Sequence, residues 1–279
     1  MAAEQLDLRV SALLVATGLT KVYRQDRFFF REKPIIAVQD ASLSLERGGT
    51  TVLVGASGSG KSTLARCLAC LERPDRGSLS IDGQDVLCLA STSLRNVRRG
   101  VQLVLQGSAA SLNPRFSAID VVAEPLEIAG LSRNERREQA LTAMERVGLP
   151  LQFATRSCEQ YSGGERQRLA LARALTLNPK ILILDESLSG LDAAVQAQIV
   201  NLLFDLQESL SIAYLFISHD FHMAAYVADD LVVMEAGRIV EQGTKDEVMR
   251  NPQHATTKLL IAAAAHETQS YSGRDPRCS

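Results

Sequence analysis

A glycine-rich stretch that begins at Gly55 carries the residue types needed to hold a polyphosphate. The stretch, Gly55-Ala56-Ser57-Gly58-Ser59-Gly60-Lys61-Ser62-Thr63, fits the pattern G-x-x-x-x-G-K-[ST] at every fixed position. Glycines let a backbone pass close to phosphates, helix N-terminal amides supply donors, and Lys61 adds a mobile cation. Ser62 can offer its hydroxyl to Mg²⁺. These residues predict a nucleotide site rather than a glycine-rich turn with an incidental lysine.

An acidic pair, Asp185-Glu186, follows the apolar run Ile181-Leu182-Ile183-Leu184. Such a run predicts a strand covered on both faces, and open parallel sheets bind ligands at the carboxyl ends of their strands. Asp185 can hold the Mg²⁺ shell there, while Glu186 faces an attacking water. An acidic pair after a strand can also cap a helix. Its place downstream of a phosphate loop favours the catalytic interpretation.

Alternating strands and helices must position these residues. The run Thr51-Val52-Leu53-Val54 predicts a strand before the loop, and the apolar periodicity after it predicts a helix that includes Leu71 and is ended by Pro74. Another helix has one face made of Val195, Ile199, Leu202, Leu206 and Leu210. Further strands are predicted at 13–15, 41–45, 78–81, 101–105 and 213–217, with a hairpin of 231–234 and 238–240.

A mostly helical block from about 108 to 177 interrupts this order. Ser132 with Glu135, and Ser162 with Glu165, each fit a capping box that opens a helix. Thr244 and Glu247 predict a third capped helix. The block is therefore interpreted as a helical subdomain inserted in a parallel sheet. From residue 266 to 279 the chain is expected to be a polar, mobile tail.

Length and charge limit the class of protein. The 279 residues can form one large domain or a domain with a subdomain, and a formal net charge of -2 gives no broad basic field for nucleic acid. Charges interrupt every apolar run before it reaches the length of a membrane span. Glu4 and Asp7 do not resemble a secretory signal. We therefore expect a cytosolic protein.

Two features have competing interpretations. Cys67 and Cys70 form a single C-x-x-C after the phosphate loop, which favours core packing over a redox or metal role because no second pair completes a metal site. Residues 24 to 34 are basic and aromatic. They can contact anionic lipid or a partner, but a solvated hairpin insertion is the favoured interpretation.

The segment Tyr161-Ser162-Gly163-Gly164-Glu165-Arg166-Gln167-Arg168, upstream of the acidic pair, resembles the signature sequence of ATP-binding cassette (ABC) ATPases. In that family a phosphate loop, a strand-end glutamine, the signature, an Asp-Glu pair, a Leu-Asp turn and a switch histidine follow in this order. Gln106, Gly190-Leu191-Asp192 and His219 occupy the matching places. The resemblance spans about 13 to 260, with the cassette domain drawn at 11–265.

The resemblance implies an α/β P-loop NTPase with a RecA-like, mostly parallel sheet core, an N-terminal antiparallel β subdomain and an inserted α-helical subdomain. It implies that Tyr23 stacks on adenine and that the loop from Gly55 to Thr63 wraps the phosphates of ATP. The residues implied for Mg²⁺ are Ser62, Gln106 and, less directly, Asp185. Glu186 would orient or deprotonate water, and His219 would contact the γ-phosphate.

The same resemblance gives Ser162, Gly163, Gly164 and Glu165 a role at the ATP of an opposite subunit, so that ATP joins two cassettes. Ser162 and Glu165 would cap a helix with no ATP present, and the two roles are compatible. A lone histidine after a strand is commonly structural, but the place of His219 before Asp220 favours the switch role. Three departures from the family pattern are Tyr161 for leucine, Glu165 for glutamine and Ser187 for proline.

Within the family, three segments resemble the peptide and nickel importer branch. They are Ser111-Leu112-Asn113-Pro114-Arg115, the stretch from Gln196 to Leu203, and Asn251-Pro252-Gln253-His254. Gln106-Gly107-Ser108 departs from it, because an acidic residue and proline commonly follow the glutamine. A cysteine-rich tail is common in that branch, and this chain has only Cys278 there, so an iron-sulfur cluster is not predicted.

The resulting expectation is the ATPase subunit of an importer for peptides, nickel or a similar solute, peripheral on the cytoplasmic face of the membrane. Separate permease subunits, a second cassette that is the same or a related chain, and a solute-binding protein are the implied partners, with no nucleic acid. Non-transport ABC ATPases of repair or translation, and an ATP-binding regulatory module, are the alternatives. A repair ATPase would need a long coiled-coil insertion, and a ribosomal cassette would usually carry two cassettes and a basic linker.

Overall fold

The computed structural model describes residues 12–24, 26–27, 30–31, 34–107 and 112–272. The strands are β1 Ala12–Tyr23, β2 Asp26–Arg27, β3 Phe30–Arg31, β4 Ile35–Glu46, β5 Thr50–Val54, β6 Arg76–Ile81, β7 Gln84–Asp85, β8 Val101–Val104, β9 Ile181–Asp185, β10 Ala213–Ser218, β11 Asp230–Glu235 and β12 Arg238–Thr244. The helices are α1 Lys61–Leu68, α2 Ser91–Gly100, α3 Ala118–Ile128, α4 Arg133–Arg146, α5 Gly163–Leu175, α6 Ala193–Leu210, α7 Phe221–Val227, α8 Lys245–Arg250 and α9 Ala255–Ser272. Within the described part of the chain, no helix is both long and apolar enough to span a bilayer.

The chain forms two compact units. The first, here called the helical unit, contains residues 46–49 and 88–215 together with the start of β1 to Leu13. The second, here called the β-rich unit, contains residues 14–45, 50–87 and 216–272. The chain passes from the helical unit to the β-rich unit within β10, after Leu215.

One sheet of the β-rich unit is antiparallel, as predicted for an N-terminal β subdomain. Its strands lie in the order β4-β1-β6-β7. In β1 and β6, Leu14 is opposite Ile81, and a register shift after Thr17 lets Thr20 pair with Arg76. The turn between β6 and β7 is the predicted Asp82-Gly83, where both residues have positive φ.

The strand that leads into the phosphate loop lies in a second group of strands of the β-rich unit. β5 is buried along its whole length and pairs in parallel with β11, with Val52 opposite Leu231. β11 also pairs with β12 in the predicted antiparallel hairpin across Ala236-Gly237. Apolar runs with both faces covered are typical of parallel strands, which agrees with the fully buried Thr50–Val54.

In the helical unit, the predicted strand before the acidic pair is β9, and all five of its residues are buried. It pairs in parallel with β8, and Val104 is opposite Leu184, so the two strands end at the same edge. Helices α3, α4 and α5 pack on one another in the predicted helical block. The capping boxes at Ser132, Ser162 and Thr244 are all present, so these three helix starts are confirmed.

The helix after the phosphate loop is shorter than predicted. It ends at Leu68 rather than continuing through Leu71 to Pro74. Cys70 takes a left-handed conformation with φ 57°, and the N–H groups of Leu71 and Glu72 both donate to the carbonyl of Arg66, which closes the helix end. Leu71 is accordingly 54% exposed. Cys67 lies in α1 and Cys70 just beyond it, and both are buried and reduced.

Other boundaries also differ from the sequence-based expectation. β1 continues to Tyr23, although its register with β6 ends where Thr20 is opposite Arg76. In α6, Val200 and Leu203 are buried while Leu210 is 38% exposed. α9 runs to Ser272, beyond the predicted start of a tail at 266. Segments that lie outside the described residues are the N-terminal Glu4 and Asp7, part of the 24–34 insertion, Ser108, Ser111 and Cys278. Of that insertion, β2 and β3 form the predicted antiparallel hairpin.

Candidate active site

The phosphate loop begins where β5 ends and closes at the N-terminus of α1. Two of its glycines are sterically required. A Cβ on Gly55 would lie 2.2 Å from the carbonyl oxygen of Met234, and one on Gly60 would lie 2.1 Å from that of Ala37. Gly60 also has φ 104°, a conformation that L-residues avoid. The loop is therefore a backbone-lined cradle pressed against its neighbours in the β-rich unit.

Lys61 crosses this cradle. Its Nζ donates to the carbonyl oxygens of Gly55 at 2.8 Å and Ala56 at 2.9 Å, and the residue is only 5% exposed. The Ser59 amide donates to Ala56, and the Gly237 amide donates to the Ser59 carbonyl, which fixes the loop backbone. Within the described residues, the buried Ser59 Oγ has no hydrogen-bond partner. A held cation beside an unsatisfied buried hydroxyl suits an anionic ligand with oxygen acceptors.

The remaining loop positions differ in accessibility. Ala56, Ser57 and Gly58 are exposed at the tip, Ser62 is half-buried, and Thr63 is 7% exposed on α1. The amides of the first turn of α1 have no intrahelical partners, as in any α-helix. The loop tip and this first turn thus present the donors that the phosphate-binding pattern predicts.

Tyr23 is the last residue of β1 in the same unit. Its hydroxyl donates to Glu72 Oε2 at 2.5 Å, and the Lys21 ammonium lies 5.6 Å from the ring centroid. Sequence reasoning did not identify Glu72. Its contact with Tyr23 bridges 49 positions of the chain, and no local pattern encodes such a contact.

His219 follows β10, and its backbone is fixed from both sides. The amide of Asp220 donates to Ser218 Oγ at 2.9 Å, and the Asp220 carboxylate accepts from the amides of His222 and Met223 at the start of α7. His219 itself is exposed. The hydrogen bonds of Ser218 and Asp220 therefore fix the backbone position of His219 and leave its imidazole exposed.

The acidic pair lies in the helical unit, where β9 ends. Asp185 closes the strand and is 4% exposed, and Glu186 is half-buried with a left-handed φ of 46°. The Glu186 carbonyl accepts from the amide of Ser189 at 3.1 Å and from its hydroxyl at 2.7 Å. A non-glycine residue in this conformation needs such support. The chain turns sharply after Asp185, so the two carboxylates differ in exposure: Asp185 is buried and Glu186 is half-buried.

Gln106 reaches the same turn from the neighbouring strand. It follows β8, and its Nε2 donates to Ser189 Oγ at 3.4 Å. Asp192, which ends the turn after Gly190 and Leu191, accepts from the Val195 amide at 2.9 Å and caps α6. The structure thus brings Gln106 to the turn of the acidic pair. Ser189 links Gln106 to Glu186, and sequence reasoning did not identify it. Its position just before Gly190 is the signal in the sequence that could have pointed to it.

The signature segment forms the N-terminus of α5. The Glu165 amide donates to Ser162 Oγ at 3.3 Å, and Glu165 Oε2 accepts from the Ser162 amide at 2.8 Å. These contacts with the backbone and side chain of Ser162 lower the pKa of Glu165. Ser162 and Gly163 are exposed, whereas a Cβ on Gly164 would lie 2.7 Å from Val195 Cγ1. A helix start with exposed amides can receive an anion.

Tyr161, the first departure from the family pattern, has a clear structural role. It is 5% exposed, and its hydroxyl donates to the carbonyl oxygen of Phe153 at 2.5 Å. Burial raises the pKa of this phenol. Because the polar atom is satisfied, tyrosine can fill an apolar position here.

The predicted residues are distributed over both units. The β-rich unit holds Tyr23, the loop from Gly55 to Thr63, and His219, and the helical unit holds Gln106, Asp185, Glu186, the signature and the Leu-Asp turn. Within the described ranges, no three His, Cys, Asp or Glu side chains are grouped as a metal centre.

Relatives of known name match nearly the whole chain. The di/tripeptide transport ATP-binding protein DppF of Pseudomonas aeruginosa is 45% identical over 256 residues, which is 91% of this chain and 79% of that protein. The dipeptide transport ATP-binding protein DppF of Escherichia coli is 44% identical over 253 residues, or 90% of this chain and 76% of that protein.

Solved structures of similar fold are also cassettes. The ATP-binding cassette MJ0796, in a dimeric post-hydrolysis state with ADP and Pi, gives a TM-score of 0.72 at 29% identity and covers 83% of this chain and 98% of that one. CbiO1 of Clostridium perfringens, part of the ABC transporter complex cbiONQ, gives a TM-score of 0.75 at 25% identity. The match covers 93% of this chain and 99% of that one.

A family model described as ABC transporter matches residues 38–189, from β4 through the acidic pair and into the turn that follows it. This match covers more than half of the chain and includes both the phosphate loop and the strand-end carboxylates. Together with the relatives, it establishes that the chain belongs to the ABC transporter family and is one of its nucleotide-binding ATPases.

Proposed function

We propose that this chain hydrolyses ATP as the nucleotide-binding subunit of an importer for peptides or a similar solute. The observation that carries the proposal is the constrained loop around Lys61 combined with a strand-end pair in which Glu186 is held in a left-handed turn. Support for the solute class comes from relatives whose names specify dipeptide or di/tripeptide transport and which align with at least 90% of the chain.

In this proposal the triphosphate lies on the loop from Gly55 to Thr63, with amides and Lys61 compensating its charge, and Tyr23 contacts adenine. Water attacks the γ-phosphorus, the bond to the β–γ bridging oxygen breaks, and ADP and phosphate leave. Glu186 orients the water and accepts its proton, and His219 contacts the γ-phosphate. Proton transfer by a positioned carboxylate of this kind contributes about 10²–10⁴ in rate.

Mg²⁺ is part of the proposal because the available donors are of the right kind. Ser62 offers a hydroxyl, Gln106 an amide carbonyl and Asp185 a carboxylate that is 4% exposed, and hard oxygen ligands are what Mg²⁺ prefers. When bound, the ion would neutralise charge on the transferring phosphate. The turn that joins Gln106 to the acidic pair through Ser189 would hold the Gln106 and Asp185 donors of the helical unit in place.

A second cassette, the same or a related chain, completes the site in this proposal. Ser162, Gly163 and Gly164, with Glu165, would meet the γ-phosphate held by that neighbour, and the turn Gly190-Leu191-Asp192 would lie beside it. The exposure of Ser162 and Gly163 at the start of α5 favours this, because the helix start is accessible even though the Ser162 amide donates to Glu165 Oε2. The similar cassette MJ0796 is described as a dimer with ADP and Pi.

Membrane partners follow from the importer assignment. We propose that the chain is peripheral on the cytoplasmic face, that separate permease subunits form the pathway, and that a solute-binding protein delivers the solute. The helical block would contact the permeases. Purification of the chain from its native membrane with co-eluting membrane subunits would support this, whereas purification without any membrane partner would contradict it.

The decisive experiment is Glu186→Gln in the full chain. We expect ATP turnover to fall about a thousandfold because the carboxylate that handles the proton is lost, while ATP-dependent dimerisation persists. Glu145→Gln, an exposed position on α4, is the matched control and should retain full turnover. Unchanged turnover in Glu186→Gln would refute the role assigned to Glu186, whereas absence of any turnover in the parent chain would favour a non-hydrolytic ATP-binding module.

A further inference from the structure

The short segment after α1, residues 72–75, holds the end of β1. The Asp75 amide donates to the Thr20 carbonyl at 2.7 Å, and the Val22 amide donates to Asp75 Oδ2 at 2.8 Å. Lys21 Nζ donates to the carbonyl of Arg73 at 2.9 Å. Three consecutive residues that precede Tyr23 are thus fixed to one turn, although the two segments are about fifty positions apart in the chain.

The Tyr23 side chain joins the same contact network. Its hydroxyl donates to Glu72 Oε2 at 2.5 Å, and Arg66 Nε donates to Glu72 Oε1 at 2.6 Å. Arg66 also approaches the Tyr23 hydroxyl at 3.4 Å and Thr63 Oγ1 at 3.3 Å. Arg66 and Thr63 both belong to α1, which is the helix that closes the phosphate loop. The ring of Tyr23 is therefore tied to the loop through two charged side chains.

The charges in this network strengthen the tie. Partial burial alone would raise the pKa of Glu72, but hydrogen bonds from Tyr23 and Arg66 outweigh burial and lower that pKa, so the carboxylate is ionised at neutral pH. Hydrogen bonds to ionised groups are shorter and stronger than neutral ones. A tyrosine ring otherwise rotates about two side-chain torsions, and fixing its hydroxyl removes that freedom before a ligand arrives.

We propose that Glu72, itself held by Arg66, is a positioning residue for the nucleotide base, because it fixes the Tyr23 ring at a set distance from the phosphate loop. The inference rests on the proposed contact between Tyr23 and adenine. Its consequence is specific: Glu72 contributes to affinity for a purine nucleoside triphosphate but not for a triphosphate without a base. A merely structural glutamate would affect both ligands alike.

The test compares two probes on the full chain, MgATP and inorganic tripolyphosphate with Mg²⁺, by equilibrium binding. We expect Glu72→Gln to weaken ATP binding about tenfold through loss of a charged hydrogen bond, with tripolyphosphate affinity within twofold of the parent. Tyr23→Phe keeps the ring but loses the hydroxyl, and should weaken ATP to a similar degree. The double variant should be no weaker than either single variant if the two act as one unit.

Asp246→Asn is the control, since Asp246 also pairs with an arginine in the β-rich unit but on the exposed surface of α8. It should leave both affinities unchanged. Equal weakening of both probes by Glu72→Gln, or no weakening of ATP, would overturn the positioning role. If Tyr23→Ala leaves ATP affinity unchanged, the adenine contact itself fails, which separates that error from an error about Glu72. Should Glu72→Gln not fold, Tyr23→Phe tests the same hydrogen bond: weaker ATP binding with unchanged tripolyphosphate binding supports the positioning role, and any other result overturns it.

Discussion

Replacing Gly60 by alanine tests whether the phosphate loop depends on close backbone contact. Gly60 has φ 104°, and a Cβ there would lie 2.1 Å from the Ala37 carbonyl oxygen, where real Cβ contacts do not fall below 3.0 Å. The position of the Cβ is set by the backbone of residue 60 and the Ala37 oxygen belongs to the backbone, so neither can rotate away. The loop or β4 must therefore move by about 0.9 Å.

The expected effect has two parts. A left-handed conformation costs a non-glycine residue about 1–2 kcal/mol. This cost lowers the free energy of unfolding whether or not ATP is bound. The displacement adds to it, because a shift of about 1 Å in a reaction site can cost about 100-fold in rate. We expect Gly60→Ala to reduce ATP turnover about 100-fold. It should also lose most of the rise in Tm given by ATP, which at 100 times Kd corresponds to about 2.7 kcal/mol.

Gly83→Ala supplies the control for the conformational part. Gly83 lies in the turn between β6 and β7 with φ 76°, and its added Cβ would meet nothing within 4 Å. It should lower Tm by its conformational cost, keep the ATP-dependent rise in Tm, and retain turnover within about twofold. For both variants, the measurements are the steady-state ATP turnover and the Tm with and without ATP. If Gly60→Ala behaved like Gly83→Ala, the steric argument for the loop would be refuted.

Three further outcomes are expected. The lowered pKa of Glu165 means that its cap is complete above the ordinary value of 4.5 and is lost as pH falls through the lowered value, so the protection of amides at the start of α5, relative to their intrinsic exchange rate at each pH, should fall there but not in Glu165→Gln. Burial raises the pKa of Cys67 to about 11, so at pH 8 about one thiol in a thousand is ionised, and peptide mapping should find iodoacetamide on the exposed Cys88 long before Cys67. Ser187→Ala should leave Tm unchanged or raise it, because within the described residues the buried Ser187 Oγ has no partner, whereas Ser189→Ala should lower it. A fall of several degrees in Ser187→Ala would contradict this reasoning.

Local signals in the sequence were sufficient for the helix starts. Each capping box, at Ser132, Ser162 and Thr244, is contained in four residues whose side chains satisfy their own backbone, so no distant contact has to be known. The strand that ends at Asp185 was equally clear, because an unbroken apolar run flanked by polar residues fits a strand buried on both faces.

The end of α1 could not be predicted in the same way. A left-handed residue after a helix is usually glycine or asparagine, and here Cys70 takes that conformation at φ 57°. The apolar Leu71 continued the helical period and gave the wrong boundary, although it is 54% exposed. Buried surroundings, rather than the residue's own preference, hold Cys70 in place.

Contacts between distant side chains were also outside the reach of the sequence. The parallel pairing of β8 and β9 accounts for why Gln106 and the acidic pair lie at one edge, but not for Ser189 as the link between them across 83 positions. Glu72 and Tyr23 are a second example. Such links depend on the rotamers of exposed or half-exposed side chains, which a periodic pattern does not encode.

The geometry of α5 shows the structural role of Ser162, beside which its proposed functional role has to be judged. In the capping box its oxygen accepts from the Glu165 amide at 3.3 Å, and its own amide is taken by the Glu165 carboxylate at 2.8 Å. A serine hydroxyl has one donor and two acceptor sites. The Ser162 side chain also hydrogen-bonds the Glu165 carboxylate and lowers its pKa, so a phosphate oxygen would have to compete with that carboxylate for the hydroxyl proton. Helix capping therefore holds Ser162 at the exposed start of α5, which is where the proposed contact with a neighbouring nucleotide would form.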